Sequence, residues 1–244
     1  LFVSLIFTSS VEATTVEVTT GPIGFWKLDG NGLDSSGNGN DGTISDVTWV
    51  NEGKNGTPGT SASFRGIRSR VVIPHDSIFN VDELTIEAWI NTGSFYEPGQ
   101  SSRLVLYKGR CGYDMQPAIV PSDYSLFISQ SFREIGFSSV VFGNLKVSVN
   151  YPQNTWHYIA VTVTKEGLIT LYSDGKAIAT KQGKPGVTSN SEPIAIGNYI
   201  GDNDWYFHYM CGLIDEVALY NRALSAEEIK QKYPEKQSLC EAVY

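Results

Sequence analysis

Six carboxylate and amide side chains crowd one glycine-rich stretch, DGNGLDSSGNGND: Asp29, Asn31, Asp34, Asn38, Asn40 and Asp41. A hard cation such as Ca²⁺ takes roughly six to eight oxygens at about 2.3–2.6 Å, drawn from carboxylates, amide oxygens and backbone carbonyls. Glycines let the chain curl so that carbonyls can point inward. The spacing is not that of an EF-hand, and no helical pattern flanks it. Asp, Asn, Ser and Gly are also the ordinary formers of turns. The stretch therefore reads either as a cation site or as a turn-forming loop.

Two further loops carry more polar and aromatic groups than a turn requires. KGRCGYDMQPAIVPSDY (Lys108–Tyr124) offers Arg110, Tyr113 and Asp114, and YIGDNDWYFH (Tyr199–His208) offers Asp202, Asn203, Asp204, Trp205 and Tyr206. Sugars present hydroxyls to carboxylates and amides, and C–H faces to flat rings that give large contact area at low entropic cost. The competing reading lets Trp205, Tyr206 and Phe207 simply enter the next strand. Catalytic patterns are missing from the sequence: there is no G-x-S-x-G and no G-x-x-x-x-G-K-[ST]. His157 has no neighbouring His or Cys, so it reads as a strand residue rather than a metal ligand. Asp215 and Glu216 are adjacent, and on a regular strand adjacent side chains point to opposite faces. They do not form the facing acid–base pair that glycoside hydrolysis needs.

Strands must position these groups. Period-two apolar runs recur at Leu84–Ile90, Arg103–Lys108, Tyr124–Gln130, Trp156–Thr164, Pro193–Gly197 and Leu213–Tyr220. Leu168–Ser173 and Lys176–Thr180 flank Asp174-Gly175, a dipeptide suited to the positive φ angles of a type I′ hairpin turn. Helical spacing appears once, where Ser225 precedes Glu228 as a capping box, Ile229 and Tyr233 share a face, and Pro234 stops the helix. The pattern predicts an all-β, two-sheet antiparallel sandwich with one short C-terminal helix. Trp26, Trp89 and Trp156 are expected in the core or between the sheets.

The 244 residues suffice for a large core. Net charge is −8 with no run of Lys or Arg, which argues against a nucleic-acid partner. Residues 1–13, LFVSLIFTSSVEA, read as a secretory signal peptide remnant with cleavage after Ala13. Its apolar run is too short to span a bilayer, and no longer one follows. Secretion is the expectation. Three cysteines, Cys111, Cys211 and Cys240, then imply one bridge plus a spare thiol able to link a dimer. Cys211–Cys240 is favoured because it would tie the tail to the last strand; Cys111–Cys211 is the alternative. Asn55-Gly56-Thr57 is a glycosylation sequon.

Four patches carry a family resemblance: Phe25–Gly30 with Asp34–Gly42, Phe79–Ile90, Asn154–Gly175 with its WHYIAV and LYSDGK, and Gly212–Tyr233 with its IDEVALYNRALS. In this order they resemble the laminin-G-like, concanavalin A-like jelly-roll family. The resemblance implies a jelly roll over residues 23–235, after a leader at 14–22 and before a tail at 236–244. It also implies a structural Ca²⁺ held by Asp29, Asp34 and Asp215 with carbonyls from the Asn38–Asp41 stretch. The candidate metal set is then Asp29, Asp34, Asn38, Asn40, Asp41 and Asp215. The candidate ligand set is Asp202, Asn203, Asp204, Trp205, Tyr206, Arg110 and Tyr113. Family members bind glycans or extracellular proteins, so the expected function is a secreted, calcium-binding, lectin-like module without catalysis. A protein-binding matrix module is the alternative. A glycoside hydrolase ranks third, since the E-x-D-x-x-E run of the glucanase branch is missing.

Overall fold

Alternating runs become strands wherever the sequence marks them most clearly. The computed structural model describes residues 21–54, 60–66, 68–91, 102–109, 122–129, 133–200 and 208–233. In chain order the strands are β1 (Gly24–Trp26), β2 (Thr43–Ser45), β3 (Val47–Val50), β4 (Ser61–Arg65), β5 (Arg70–Ile73), β6 (Leu84–Asn91), β7 (Ser102–Lys108) and β8 (Tyr124–Ser129). They continue as β9 (Glu134–Ser139), β10 (Gly143–Ser148), β11 (Trp156–Val163), β12 (Leu168–Ser173), β13 (Lys176–Gln182), β14 (Ile194–Ile196) and β15 (Cys211–Tyr220), and helix α1 (Ala226–Lys232) follows.

Two antiparallel sheets form. The larger runs β13-β12-β11-β6-β15-β4-β3 with β1 also on β15, and the smaller runs β10-β9-β8-β7-β14-β5-β2. Strand alternation decides which side chains meet between them. Ile86, Ala88 and Ile90 of β6 join Ile159, Val161 and Val163 of β11 and Trp26 in the inter-sheet core. Asp174 and Gly175 take φ of 49° and 75° at the β12–β13 turn, as its Asp-Gly sequence requires.

The outer face of the larger sheet is covered as well, by α1. Ser225 Oγ accepts from Glu228 N at 3.2 Å, and the Glu228 carboxylate accepts from Ser225 N at 2.8 Å, completing the capping box. Ile229 and Leu224 pack on Trp89, Tyr158 and Tyr172, and Tyr233 stacks on Trp89 with ring centroids 5.6 Å apart. Trp26 lies in the core as expected. Trp89 instead lies on the outer face under α1, and Trp156 is half-buried there.

β15 holds the larger sheet together. Its first half pairs with β4, its second half pairs with β1, and β6 lies along its other edge. The β6 register slips between Asp215 and Ala218, and Glu216 takes φ of 47°. Such a bulge re-aims side chains. The opposite-faces argument for Asp215 and Glu216 therefore fails at this point: both carboxylates meet Lys54, one at its backbone N–H and one at its ammonium.

Candidate functional site

The N-terminal loop is organised around Asp34. Its carboxylate accepts from Phe25 N at 2.9 Å, Ser36 N at 2.8 Å, Ser36 Oγ at 2.8 Å and Asn40 N at 3.0 Å. Four donors match the roughly four lone-pair directions of a carboxylate. Burial pushes the Asp34 carboxyl up, but these hydrogen bonds outweigh it and hold the group below its usual range. Asp41 Oδ1 accepts from Asp34 N at 2.8 Å. Asn40 turns inward, giving its Nδ2 to Ile23 O at 2.8 Å while its own carbonyl accepts from Trp26 Nε1 at 2.9 Å. Asn38 Nδ2 reaches the carbonyls of Pro22 and Ile23. Gly37 and Gly39 supply the positive φ the knot requires. Asp34, Asn38, Asn40 and Asp41 thus fasten the loop to β1.

Asp29 and Asp215 stand apart from that knot. Asp215 is 4% exposed, and its oxygens accept from Lys54 N at 2.9 Å and Glu216 N at 3.0 Å. Burial pushes its carboxyl up to about 7, and the charges of Glu216 and Asp29 push the same way against those two N–H groups. The fold therefore brings Asp29, from the start of the chain, within electrostatic range of the last strand. Lys54 answers Glu216 with an ion pair. Among the described residues, no three acidic, imidazole or thiol groups converge tightly enough to form a metal cage by side chains alone. A divalent cation here would rest on two carboxylates, with carbonyl oxygens and water completing its shell. A buried carboxyl repelled by two others fits such an ion; the donor-saturated Asp34 does not.

Beside Asp215 a groove of about 310 Å³ opens on the outer face, lined by Glu52, Ser63, Arg65, Asn91, Asn154 and Leu213 among others. Glu52 Oε1 accepts from Trp156 Nε1 at 3.1 Å and from Asn91 Nδ2 at 3.4 Å, so one carboxylate orients both an indole and an amide. Arg65 Nε donates to Ser63 Oγ at 3.0 Å. A carboxylate, a guanidinium and two amides form a surface that can exchange hydrogen bonds with hydroxyls, and Glu52 ties the half-buried Trp156 indole to it. Sequence patterning passed over this groove because its residues come from β3–β4, β6, the turn before β11 and the start of β15. One signal was present: Asn91 extends the outward series of Glu87 and Trp89 with a buried polar group.

Several expected residues lie outside the described residues: the signal segment 1–13, most of the 14–22 leader, Asn55, Arg110, Cys111, Tyr113, Asp114, Asp202, Asn203, Asp204, Trp205, Tyr206, Pro234, Cys240 and the 236–244 tail. Cys211 is buried at the start of β15, where its carbonyl accepts from Arg103 Nη1 at 2.5 Å. His157 bonds Asp174 Oδ2 at 2.9 Å and Thr155 Oγ1 at 2.9 Å in a strand-end cluster.

The profile of the Laminin_G_3 family, described as the concanavalin A-like lectin/glucanases superfamily, matches residues 65–230. No curated protein matches the sequence. Domain 4 of AbnA, a GH43 extracellular arabinanase from Geobacillus stearothermophilus solved in complex with arabinotriose, aligns with TM-score 0.63 and 16% identity over 88% of this chain and 98% of that one. The botulinum neurotoxin serotype G binding domain aligns with TM-score 0.62 and 16% identity, over 87% of this chain and 50% of its own. The binding domain of Paraclostridial Mosquitocidal Protein 1 aligns with TM-score 0.62 and 16% identity, over 87% and 52%. This chain spans about half the length of those toxin binding domains. At such identities the likeness is one of fold.

Proposed function

The chain belongs to the concanavalin A-like lectin/glucanases superfamily, and from that premise we propose that it is a secreted, non-catalytic, calcium-binding module that recognises saccharides in the groove beside Asp215. The observation that carries this reading is the groove's chemistry: Glu52, which accepts hydrogen bonds from the Trp156 indole and the Asn91 amide, lines a hollow together with Asn91, Arg65 and Asn154. Fold alone does not carry it, because one fold hosts many functions. A structural neighbour solved with arabinotriose agrees with it.

Asp29 and Asp215 would hold the calcium ion. When bound, it supplies the positive charge that keeps Asp215 ionised at neutral pH. Held there, it would tie the loop after β1 to β15, and removing it would weaken the fold more directly than the ligand contacts.

Isothermal titration of the chain with a panel of neutral oligosaccharides, arabinotriose included, tests the reading with calcium and with EDTA. The expected result is binding that weakens at least tenfold in Asn91→Ala and Trp156→Ala. Absence of binding across the panel would favour a protein-binding module. Release of reducing ends during the titration would instead make the chain a hydrolase, with Asp215 and Glu216 as the first carboxylates to examine.

A further inference from the structure

Glu87 is a charged residue in the middle of an apolar strand, and its surroundings form a second hollow distinct from the groove. It is 5% exposed. Tyr158 Oη donates to its Oε2 at 2.6 Å, and Tyr220 Oη at 3.1 Å and Lys232 Nζ at 3.0 Å both donate to Oε1. Lys232 also bonds Tyr220 Oη and stands 5.0 Å from the centre of that ring. These groups, with Phe25 and Trp89, line a hollow of about 170 Å³ between β1, the outer face of the larger sheet and α1. A wider hollow of about 330 Å³ adjoins it, sharing Pro22, Tyr220 and Lys232.

Counting donors and acceptors gives the hollow a specific capacity. A carboxylate has about four acceptor directions and an ammonium three donors. Glu87 uses three and Lys232 uses two, which leaves one acceptor direction on Glu87 Oε2 and one donor on Lys232, whose partner atom is Oε1 of the same carboxylate. Burial and the Glu87 charge hold the Tyr158 hydroxyl well above its usual pKa, so it stays a donor. The floor is rigid: Trp89 is stacked by Tyr233 and tilted against Tyr158, both with centroids 5.6 Å apart.

Charge selects the class of ligand. Glu216 also lines the hollow and is paired with Lys54, as Glu87 is with Lys232. A cation entering would meet Lys232, and an anion would meet two carboxylates. A neutral molecule bearing adjacent hydroxyls gains instead: one hydroxyl donates to Glu87, its neighbour accepts from Lys232, and a C–H face lies on half-buried Phe25. The volume is below the roughly 300 Å³ at which sites for larger ligands begin, so a single ring fits. We infer that the hollow between β1 and α1 is a second saccharide site, which takes one neutral sugar ring and needs no calcium. It stands whether or not the groove binds oligosaccharides.

Saturation-transfer NMR and titration calorimetry of the full chain in EDTA test this, with glucose, galactose, mannose, arabinose, xylose and N-acetylglucosamine as probes. At least one probe should bind. Lys232→Met and Phe25→Ala should each weaken it tenfold or more, with thermal melts establishing that both variants fold. Phe25 lies outside the ion pair, so its variant keeps the test decisive if Lys232→Met unfolds. Asn91→Ala removes groove binding and should leave this site. The inference is overturned if no probe binds in EDTA, if the folded variants bind like the parent, or if Asn91→Ala alone abolishes binding. A failed groove with a working second site would be recognised by the reverse pattern.

Discussion

Replacing Asp215 by Asn separates the metal-free cost of this carboxylate from its use. Its carboxyl is pushed up to about 7 in the folded chain, by burial first, from an ordinary value of 3.8. A carboxyl that holds its proton more tightly when folded favours folding at low pH. That advantage is lost as pH rises from about 4 through 7. At 1.36 kcal/mol per pH unit, ionised Asp215 disfavours the metal-free fold at pH 8 by about 4 kcal/mol relative to pH 3. The amide carries no charge but offers one acceptor, so Lys54 N or Glu216 N loses its partner, at about 1 kcal/mol. In EDTA at pH 8, Asp215→Asn should therefore melt about 6–12 °C above the parent, corresponding to about 3 kcal/mol. Near pH 4 the parent is protonated and the difference should vanish or reverse slightly. Burial also pushes His208 down, so acid weakens both proteins, and the difference between them isolates Asp215. Calcium at a hundred times its dissociation constant should stabilise the parent by about 2.7 kcal/mol and leave the variant unmoved. Calorimetry across pH 4–8 measures all of this. An Asn variant that is equally destabilised at both pH values, or that responds to calcium like the parent, would refute the reasoning.

Three further outcomes are expected. Asp34→Ala removes the acceptor for four donors and should cost about 2–4 kcal/mol, equally with calcium and with EDTA; a variant that loses the calcium response in thermal melts would make Asp34 a ligand instead. Ser225→Ala breaks the capping box of α1 and should lower stability by about 1 kcal/mol, read in urea titration as a shifted midpoint with an unchanged slope. Gly197→Ala places a methyl group against the Phe64 ring at φ of 83° and should cost about 2–4 kcal/mol by the same measurement, while an unchanged midpoint would show that the core yields there.

The fold was legible where one periodicity ran long enough. β6, β11, β12 and β15 each alternate over six or more residues, and Asp174-Gly175 and Ser225-x-x-Glu228 mark a turn and a helix start by local chemistry alone. β2, β3 and β5 escaped because three or four residues cannot display a period, and β4, β9 and β10 escaped because each carries too few large apolar residues to stand out, Ile135 and Phe137 in β9 and Leu145 and Val147 in β10. The site was legible only in part, for the same reason. Asp34 was visible as an acidic loop residue, yet its role as hydrogen-bond hub depends on where Phe25 N and Asn40 N fall. Asp215 and Glu216 were placed on opposite faces because alternation assumes a regular strand, and a positive φ at Glu216 breaks it. The groove gathers Glu52, Arg65, Asn91 and Asn154 from separate segments. Only their three-dimensional proximity distinguishes them from ordinary polar residues.

β15 sits among β1, β4 and β6, yet it is nearly the last segment of the fold to be made. During synthesis the edges of β4 and β6 have no neighbour on that side until residue 220 has emerged. Pairings at such sequence distance close slowly. The smaller sheet and the β6-β11-β12-β13 run can pair before then, so what waits for β15 is the joining of β1, β3 and β4 to the rest, and the N-terminal strands of the larger sheet are the last to be registered.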